Sequence, residues 1–311
     1  MNRVPIVFAF DQNLEFPACV CISSLMMSAK LDTFYDIFIL HPESSVLDDS
    51  LWGKIKSTYQ NCNITFKTVA NVFEGAFEIR NITTPTYYRL LIPELIPEYD
   101  KVIYSDVDVI FRTDLSSVYE MEMGDSYVAG TYDIDMNIGN DGMKHIDETE
   151  GLVRGEYIQA GFIMLNTKKM REDSLQPKLL ELAKRQYKFQ DQDILNIACA
   201  GKTKILPWHY NMTTYSFYYL ENEYEKIKDK YANSGQQLAR HQSNIHYNGQ
   251  KPWKGACINF DIWWEYYRKS PFFDQKYYYQ FFENMLNEHD RLPLFKRIKI
   301  LLRYFVYGRK K

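Results

Sequence analysis

Residues Lys101-Val-Ile-Tyr-Ser-Asp-Val-Asp-Val-Ile-Phe111 form an apolar run that two carboxylates, Asp106 and Asp108, interrupt near its middle. The run predicts a strand, and the period-2 alternation of an extended chain would place both carboxylates on one side. Buried carboxylates are costly unless they are paired, hydrogen-bonded or bound to a metal. The pair therefore suggests a site for a divalent cation and the phosphates of a nucleotide, with two solvated turn acids as the alternative.

Spacing alone does not identify the site, because two more Asp-x-Asp triplets occur, at Asp133-Ile-Asp135 and Asp191-Gln-Asp193. The second of them lies at the predicted start of a helix. Acids are favourable there without any ligand, through capping and the helix dipole. The surrounding chain must decide between the three triplets.

Strand-like and helical patterns alternate along the chain. Apolar or alternating runs at residues 6–10, 34–41, 62–69, 126–131 and 157–166 are separated by helical patterns such as residues 18–29, 45–60 and 177–187. This rhythm predicts an α/β fold with a mostly parallel, doubly wound sheet. Residues 136–156 hold four glycines and many acids without periodicity, so they are expected to form a flexible segment over a site.

Polar residues follow several of the predicted strands. Asp11 and Asn13 come directly after the first one, and ligands gather at the carboxyl ends of parallel strands, although both residue types are also common in ordinary turns. A predicted helix capped by Thr84 carries Arg89, which is a ligand-binding candidate or a surface cation. Gly161 permits close approach of a ligand or another backbone.

The segment Ile245-His-Tyr-Asn-Gly-Gln-Lys-Pro-Trp253 adds three further candidates. His246 can be a nitrogen ligand to a metal such as Mn²⁺, Gly249 can let backbone amides approach an anion, and Lys251 can neutralise a phosphate. A lone histidine is more often a hydrogen-bonded structural residue. The segment is therefore informative only together with other motifs.

Composition limits the class of protein. The 311 residues are 46% hydrophobic and 25% charged, which suits one large α/β domain or two small ones, and the net charge of −3 argues against nucleic-acid binding. Five cysteines without C-x-x-C spacing predict free thiols in a reducing compartment. The start of the chain does not read as a secretory signal, and the protein is expected to be cytoplasmic.

The C-terminal tail differs from the body. Residues 291–311 hold eight Lys or Arg and no acid, mixed with large apolar residues. Such a segment is too short and too charged to span a bilayer, and it is expected to lie on an anionic membrane surface. A helix docked on the domain with its cations facing water is the alternative.

Taken in order, these pieces resemble the retaining glycosyltransferases of family 8, which include bacterial lipopolysaccharide galactosyl- and glucosyltransferases and glycogenin. The resemblance covers residues 4–265. It is carried by Ile6-Val-Phe-Ala-Phe-Asp-Gln-Asn13, Tyr88-Arg-Leu90, Asp106-Val-Asp108, Gln159-Ala-Gly161, Gln190-Asp-Gln-Asp-Ile-Leu-Asn196 and His246-Tyr-Asn-Gly249 with Lys251-Pro-Trp253. Each motif is weak alone, whereas six in the family's order are specific.

The resemblance implies a GT-A fold over residues 1–265 and a site for Mn²⁺, or Mg²⁺ as the alternative, with UDP-galactose or UDP-glucose. Residues 266–311, outside the resemblance, are expected from their composition to form a helical, basic and aromatic segment that associates with a membrane. The resemblance also implies the following roles: uridine contacts from Asp11 and Asn13; metal ligands Asp106, Asp108 and His246; diphosphate contacts from Gly249 and Lys251; and donor-sugar contacts from Arg89, Gln159, Asp191 and Gln192. Ala9, Val107, Ala160 and Gly161 complete the implied donor-binding set. The link between Gly249 and Lys251 is one residue shorter than in the bacterial galactosyltransferases, which leaves the reach of Lys251 open.

Gln192, Asp191 and Asp133 are the candidate catalytic residues. Retention through a double displacement needs a nucleophile, and Gln192 is a poor one, while Asp191 and Asp193 are nearby acids. Front-face attack, with Gln192 stabilising the sugar cation, is favoured. Asp133 is preferred to Asp135 as a sugar or acceptor contact.

The expected function is transfer of a hexose to a glycan or glycolipid acceptor at the inner face of the plasma membrane, in surface-glycan synthesis. Two alternatives stay open: a self-glucosylating enzyme like glycogenin, and a catalytically silent nucleotide-binding membrane scaffold. A sugar-nucleotide pyrophosphorylase fits the His-x-x-Gly module less well. Neither the donor sugar nor the acceptor can be read from the sequence.

Overall fold

The computed structural model describes residues 2–78, 83–231 and 243–307. Its contacts define two compact units, Met1–Pro271 and Phe272–Lys311, which are described separately. The boundary expected from the sequence, after residue 265, falls within a helix of the first unit, Phe260–Lys269.

The first unit contains a large and a small sheet. In chain order the strands are β1 Asn2–Ala9, β2 Thr33–Pro42, β3 Cys62–Val69, β4 Val102–Ser105, β5 Val109–Ile110, β6 Val128–Tyr132, β7 Ile158–Leu165, β8 Thr203–Ile205, β9 Met212–Thr213 and β10 Ile245–His246. The large sheet has the order β3-β2-β1-β4-β7-β6-β8, and the small one β5-β10-β9. In the large sheet only β7 runs antiparallel to its neighbours, which confirms the predicted mostly parallel α/β sheet.

Helices connect the strands and cover the sheet. They are α1 Glu15–Ser28, α2 Asp49–Thr58, α3 Ile92–Leu95, α4 Ser116–Tyr119, α5 Ile134–Ile138, α6 Asn140–Glu148, α7 Thr167–Glu172, α8 Gln176–Ala183, α9 Gln190–Ala198, α10 Thr214–Asn222, α11 Tyr224–Tyr231 and α12 Phe260–Lys269. Short 3-10 helices occupy Gln12–Leu14, Thr84–Leu91 and Trp208–Tyr210.

Alternation along the strands decides which residues enter the main core. Val7, Leu40, Tyr104 and Ile163 belong to one apolar cluster that also includes side chains of α8, α9 and the 3-10 helix Thr84–Leu91. Successive side chains of a strand point to opposite faces, so the sheet is covered on both sides when both sets are buried. All eight residues of β7 are buried, as expected for a strand in the middle of the sheet.

The run 101–111 is not one strand. It divides into β4 in the large sheet and β5 in the small one, and Asp106, Val107 and Asp108 form the connection between them. Both carboxylates do lie on one side, in the same cavity, but the strand alternation predicted as the cause is absent at Asp106–Asp108. The chain leaves one sheet at Asp106 and enters the other after Asp108, because β5 pairs with the distant β10.

Two other local predictions also need correction. Residues 136–156 are not an unstructured loop, since they contain most of α5 and all of α6, and Met136 and Ile146 pack with Tyr157 in a small apolar cluster. The predicted helix after Thr84 is a 3-10 helix whose N-cap is Thr83. In both cases tertiary packing overrides weak local signals.

Over its described residues, 272–307, the second unit contains two helices, α13 Gln275–Asp290 and α14 Leu294–Tyr307. None of the helices within residues 2–78, 83–231 and 243–307 combines the length and the apolar character needed to cross a bilayer. Helix α14 exposes the large apolar side chains Leu294, Phe295, Ile298, Ile300, Leu301, Leu302 and Phe305.

Candidate functional site

One large cavity opens at the edge of the large sheet where β1, β4 and β6 end and β7 begins. Its volume is about 1080 Å³, which exceeds the range of typical small-molecule pockets, about 300–1000 Å³. The predicted site residues that line it are Ala9, Asp11, Arg89, Asp106, Val107, Asp108, Asp133, Gln159, Ala160, Gly161, Asp191, Gln192, His246, Gly249 and Lys251. Asn13 is exposed and is not among the lining residues; its backbone N–H donates to Asp11.

The side chains of Asp106, Asp108 and His246 converge at one point of this cavity. One ligand atom from each residue lies within 4.8 Å of the others. Nε2 of His246 is 3.1 Å from Oδ1 of Asp108 and 3.8 Å from Oδ2 of Asp106. Two carboxylates and an imidazole form a donor set that suits a divalent cation.

Backbone pairing brings these distant residues together. β10 runs antiparallel to β5, with His246 opposite Val109, and the N–H of Tyr247 donates to the carbonyl of Asp108 at 2.8 Å. On the other side, the N–H of Asp106 donates to the carbonyl of Gly161 at 2.8 Å. The three candidate ligands are therefore tied to both sheets.

Gly161 leaves the room that this cluster occupies. A Cβ atom at residue 161 would lie 2.3 Å from Cε1 of His246 and 2.6 Å from Oδ2 of Asp106. Both distances are shorter than any ordinary contact between these atoms. The close approach expected at Gly161 is thus to the candidate metal ligands themselves.

The environment of Asp108 suits a bound cation. Its Oδ1 is buried and accepts no hydrogen bond, although Nε2 of His246 is close, while its Oδ2 accepts a hydrogen bond from Lys251. Burial alone would raise the pKa of Asp108, but Lys251 and His246 lower it well below its usual range. A buried, ionised carboxylate oxygen without a donor fits a divalent metal ion.

Arg89 is buried rather than a surface cation, and it holds the centre of the site. Its side chain is 4% exposed, and its Nη2 donates to Oδ1 of Asp106 at 2.8 Å while its Nε lies 3.0 Å from Oδ2 of Asp191. The remaining Nη1 donates to the carbonyl of Ala160 at 2.6 Å. Removing one partner of such a buried pair costs about 3–5 kcal/mol.

Asp191 lies beside Arg89 at the start of α9. Its Oδ1 accepts a hydrogen bond from Thr86 at 2.8 Å. Burial and the charge of Asp106 raise the pKa of Asp191 to about 6, against the opposing effect of Arg89. Two carboxylates, Asp106 and Asp191, therefore share one guanidinium.

Gln192 is held in one orientation by hydrogen bonds at both ends of its side-chain amide. Its Oε1 accepts from the N–H of Ala160 at 3.0 Å, and its Nε2 donates to Oδ2 of Asp133 at 3.1 Å. Asp133 caps α5 by accepting from the N–H of Met136 at 3.2 Å. Burial raises the pKa of Asp133 to about 6.

Asp193 is fully buried and does not line the cavity. It accepts a hydrogen bond from Tyr157 at 2.6 Å and lies 3.0 Å from Nε2 of His145 on α6. This arrangement fixes α6 to α9 and places Asp193 away from the cavity. Asp135, in contrast, lines the cavity and accepts a hydrogen bond from Tyr219 at 3.3 Å.

Several residues around the site were not found from the sequence. Tyr104 and Thr86 donate to Asp106 and Asp191 respectively, and Asn211 contacts both His246 and Gln159. Tyr104 and Thr86 lie next to predicted motifs, which is a usable signal. Asn211 lies in an aromatic- and amide-rich segment with no motif of its own.

With this geometry established, comparison with known proteins identifies the family. The family model of glycosyl transferase family 8 matches residues 5–257. The chain belongs to glycosyl transferase family 8. The resemblance inferred from the six motifs is thereby confirmed, and the protein is a transferase.

Named relatives of this family 8 chain include bacterial glycosyltransferases. It is 24% identical over 258 residues to a lipopolysaccharide 1,2-glucosyltransferase of Escherichia coli, covering 80% of this chain and 72% of that one. A putative glycosyltransferase of Haemophilus influenzae is 28% identical over 217 residues, covering 67% of this chain and 63% of that one. The chain thus spans less than two thirds of the Haemophilus protein.

Solved structures confirm the GT-A fold of the family 8 chain. The galactosyltransferase LgtC, solved with donor and acceptor sugar analogues, is 25% identical with a TM-score of 0.69, over 88% of this chain and 99% of LgtC. The bifunctional glycosyltransferase WbbM is 25% identical with a TM-score of 0.73, over 89% of this chain and 51% of WbbM.

Proposed function

We propose that this family 8 protein is a retaining glycosyltransferase that moves a hexose, galactose or glucose, from a UDP-sugar to a glycan or glycolipid acceptor. The observation that carries the proposal is the convergence of Asp106, Asp108 and His246 with Gln192 and Lys251 on one cavity. The names of the glucosyltransferase relative and of LgtC support a hexose donor.

Asp106, Asp108 and His246 would hold the metal ion, Mn²⁺ or Mg²⁺. Such an ion would stabilise the negative charge that develops on the diphosphate leaving group. The unpartnered Oδ1 of Asp108 and the clearance at Gly161 support this assignment.

Lys251 and Gly249 lie on the cavity wall next to these residues and are the proposed diphosphate contacts. The Lys251 side chain does reach the centre of the site, since its Nζ bonds Asp108 and the carbonyl of Tyr247, the latter at 2.7 Å. An ammonium group at this point can neutralise a phosphate oxygen. Asp11 and Ala9, at the end of β1, are the proposed uridine contacts, with Asn13 beside them.

Arg89 and Gln159 are proposed to contribute to the donor site mainly by positioning other groups. Every nitrogen of the Arg89 guanidinium already contacts an acceptor of the protein. Oε1 of Gln159 accepts from Gly161 and Asn211. Asp191 and Gln192, which line the cavity, remain the proposed contacts to the donor sugar.

Gln192 is proposed to stabilise positive charge on the sugar during front-face attack. Its Oε1 is a carbonyl-type acceptor that Ala160 and Asp133 fix in place, so no reorientation is needed when charge develops. Asp133, beyond Gln192 on the cavity wall, is the proposed acceptor contact. Asp193 is an unsuitable nucleophile, because it is buried against Tyr157 and His145.

A panel of UDP-sugars tests the proposed function. Slow hydrolysis of the donor requires no known acceptor, so release of UDP with and without Mn²⁺ would identify the accepted sugar. We expect metal-dependent release from UDP-galactose or UDP-glucose, and loss of it in an Asp108→Asn variant. Release of UDP without metal, or release from neither sugar, would contradict the proposal. The control is Asp48→Asn, which changes the exposed N-cap of α2.

The tail is proposed to bring the enzyme to the inner face of an anionic membrane. Helix α14 exposes large apolar side chains next to the cations Lys296, Arg297, Lys299 and Arg303. A basic amphipathic helix binds anionic lipids through both features. Deleting residues 291–311 should abolish co-sedimentation with anionic vesicles and leave UDP-sugar hydrolysis unchanged, whereas vesicle binding by the deletion variant would contradict this role.

A further inference from the structure

A buried amide lies directly behind the candidate metal ligand His246. Oδ1 of Asn211 is 3.0 Å from Nδ1 of the imidazole, and the Asn211 side chain is almost completely buried. Asn211 follows the 3-10 helix Trp208–Tyr210 and directly precedes β9, the strand that pairs with β10. The small sheet therefore fixes the separation between the amide and the imidazole.

The hydrogen-bond network fixes which atoms of Asn211 face which partner. Oε1 of Gln159 accepts from the backbone N–H of Gly161 at 2.7 Å, so this atom is an oxygen. The Asn211 atom 2.7 Å from it must then be the donor Nδ2. The other end of the amide, which faces His246, is the acceptor Oδ1.

The orientation of Asn211 in turn fixes the proton of His246. Because Oδ1 of Asn211 can only accept, Nδ1 of His246 must carry a proton to make the bond. In the neutral imidazole the lone pair is then on Nε2, which faces Asp106 and Asp108. This is the tautomer that can ligate a metal ion through Nε2.

We propose that Asn211 is a positioning residue that holds His246 in the Nδ1–H tautomer and so prepares Nε2 as a metal ligand. The inference rests on the proposed function for its metal ion. The chain of bonds runs from the backbone of Gly161 through Gln159 and Asn211 to His246. The sequence predicted that Gln159 contacts the donor sugar. In the structure its Oε1 instead accepts a hydrogen bond from Asn211, next to the small sheet.

The proton can be located without any metal. Long-range ¹H–¹⁵N correlation of the histidine side chains, at about pH 8 where an ordinary imidazole is neutral, reports which ring nitrogen of His246 is protonated. A proton on Nδ1, whether or not Nε2 also carries one, is the expected result. An unprotonated Nδ1 together with a proton on Nε2 would overturn the proposal. The test remains decisive even if the protein binds no metal.

Variants separate positioning from simple packing. Asn211→Leu removes the acceptor, and we expect Mn²⁺ affinity, measured by titration of the EPR signal of the free ion without donor, to fall 10- to 100-fold. Asn211→Asp keeps an acceptor for Nδ1 of His246, but it replaces the donor Nδ2 with a carboxylate oxygen next to Oε1 of Gln159, which is also an acceptor. We expect this variant to melt at a lower temperature and yet to keep Mn²⁺ affinity within about threefold of the wild type.

Thr131→Val is the matched control, because Oγ1 of Thr131 is a second partner of Nδ2 of Asn211, at 3.3 Å, and does not contact His246. We expect its Mn²⁺ affinity to be unchanged. If Mn²⁺ affinity simply followed melting temperature across the three variants, Asn211 would have only a packing role and the proposal would fail. Wild-type protein that does not bind Mn²⁺ would instead refute the proposed metal site, and the proton location would still decide the role of Asn211.

Discussion

The ammonium group of Lys251 donates a hydrogen bond to Oδ2 of Asp108, a carboxylate whose other oxygen faces the cluster of candidate metal ligands. The lysine thus neutralises Asp108 from a position 143 residues later in the chain. A metal ion bound to Asp108 would compete with this ion pair. Release of Lys251 from Asp108 would then make the ammonium available to a phosphate.

The substitution Lys251→Ala should therefore change two affinities in opposite directions. Without donor, Mn²⁺ should bind about fivefold more tightly, the equivalent of about 1 kcal/mol for a partly exposed ion pair. UDP in the presence of Mn²⁺ should bind at least about tenfold more weakly, because a charged hydrogen bond to phosphate is lost. Isothermal titration calorimetry measures both, with Lys254→Ala, another lysine of the cavity wall, as the control. A loss of both affinities would show that Lys251 does not compete with the metal.

Gly161→Ala should disrupt the candidate metal site while leaving the sheet in place. The added methyl would force His246 and Asp106 apart, because both would lie within 2.6 Å of it. We expect at least a tenfold loss of Mn²⁺ affinity and a destabilisation of about 1–3 kcal/mol. Gly53→Ala in α2 meets nothing within 4 Å and should be slightly stabilising with unchanged Mn²⁺ binding. Wild-type Mn²⁺ affinity in Gly161→Ala would contradict the described arrangement.

Replacing Gln192 by Ala should reduce turnover far more than donor affinity. The fixed Oε1 is proposed to act on charge that is present only in the transition state, so a loss of about 100-fold or more in kcat is expected. The Kd for UDP should stay within about threefold, since UDP lacks the sugar. The control is Gln250→Ala, an exposed glutamine that also lines the cavity. An unchanged kcat would remove Gln192 from the proposed catalytic set.

The pH dependence of stability should carry a signature of Asp133. Burial raises its folded pKa to about 6, above the ordinary 3.8, so its stabilising contribution is complete below the lower value and is lost as pH rises through the higher one. The free-energy difference between wild type and Asp133→Asn should therefore shift by up to about 3 kcal/mol between acid and neutral pH. The wild type should be relatively less stable at neutral pH.

Urea unfolding at about pH 4.5 and about pH 7.5 should record about 2 kcal/mol of this shift, because at pH 4.5 the unfolded carboxyl is already mostly ionised. The informative quantity is how the effect of Asp133→Asn on the unfolding free energy changes between the two pH values. The substitution also disturbs the hydrogen bond from Gln192, but it does so at both pH values. Asp48→Asn provides the contrast, since the hydrogen bonds from Ser50 lower the pKa of that exposed cap. A shift of the opposite sign for Asp133 would show that its carboxylate is ionised more easily in the folded state.

The main strands could be predicted from the sequence because each is a compact apolar or alternating run. β3 matches its predicted bounds, Cys62–Val69, and β7 lies within its predicted run. The helices α5 and α6 could not be predicted. Their acids and glycines carry no periodicity, and their stability depends on packing of Met136 and Ile146 against Tyr157, the residue that precedes β7.

The candidate site could be predicted as a set of residues but not as a set of contacts. Nearly all of the predicted side chains line the cavity, because the order of motifs reflects the family. The network of Arg89, Asp191 and Asp106, and the bond from Asn211 to His246, could not be predicted. The Arg89 network joins the 3-10 helix Thr84–Leu91, the start of α9 and the segment after β4. The bond from Asn211 to His246 depends instead on the pairing of β9 with β10 in the small sheet. In both cases the partners come from distant parts of the chain.

The large sheet is already complete at Ile205, the end of β8, whereas His246 and Lys251 come about forty residues later. A relative that lost or altered only the segment from residue 206 to 257 could keep all seven strands of this sheet and most of the motifs. Fold likeness alone would then fail to distinguish an active transferase from an inactive descendant. On the roles proposed above, Asn211, His246 and Lys251 are the positions to inspect first in newly found chains of this kind.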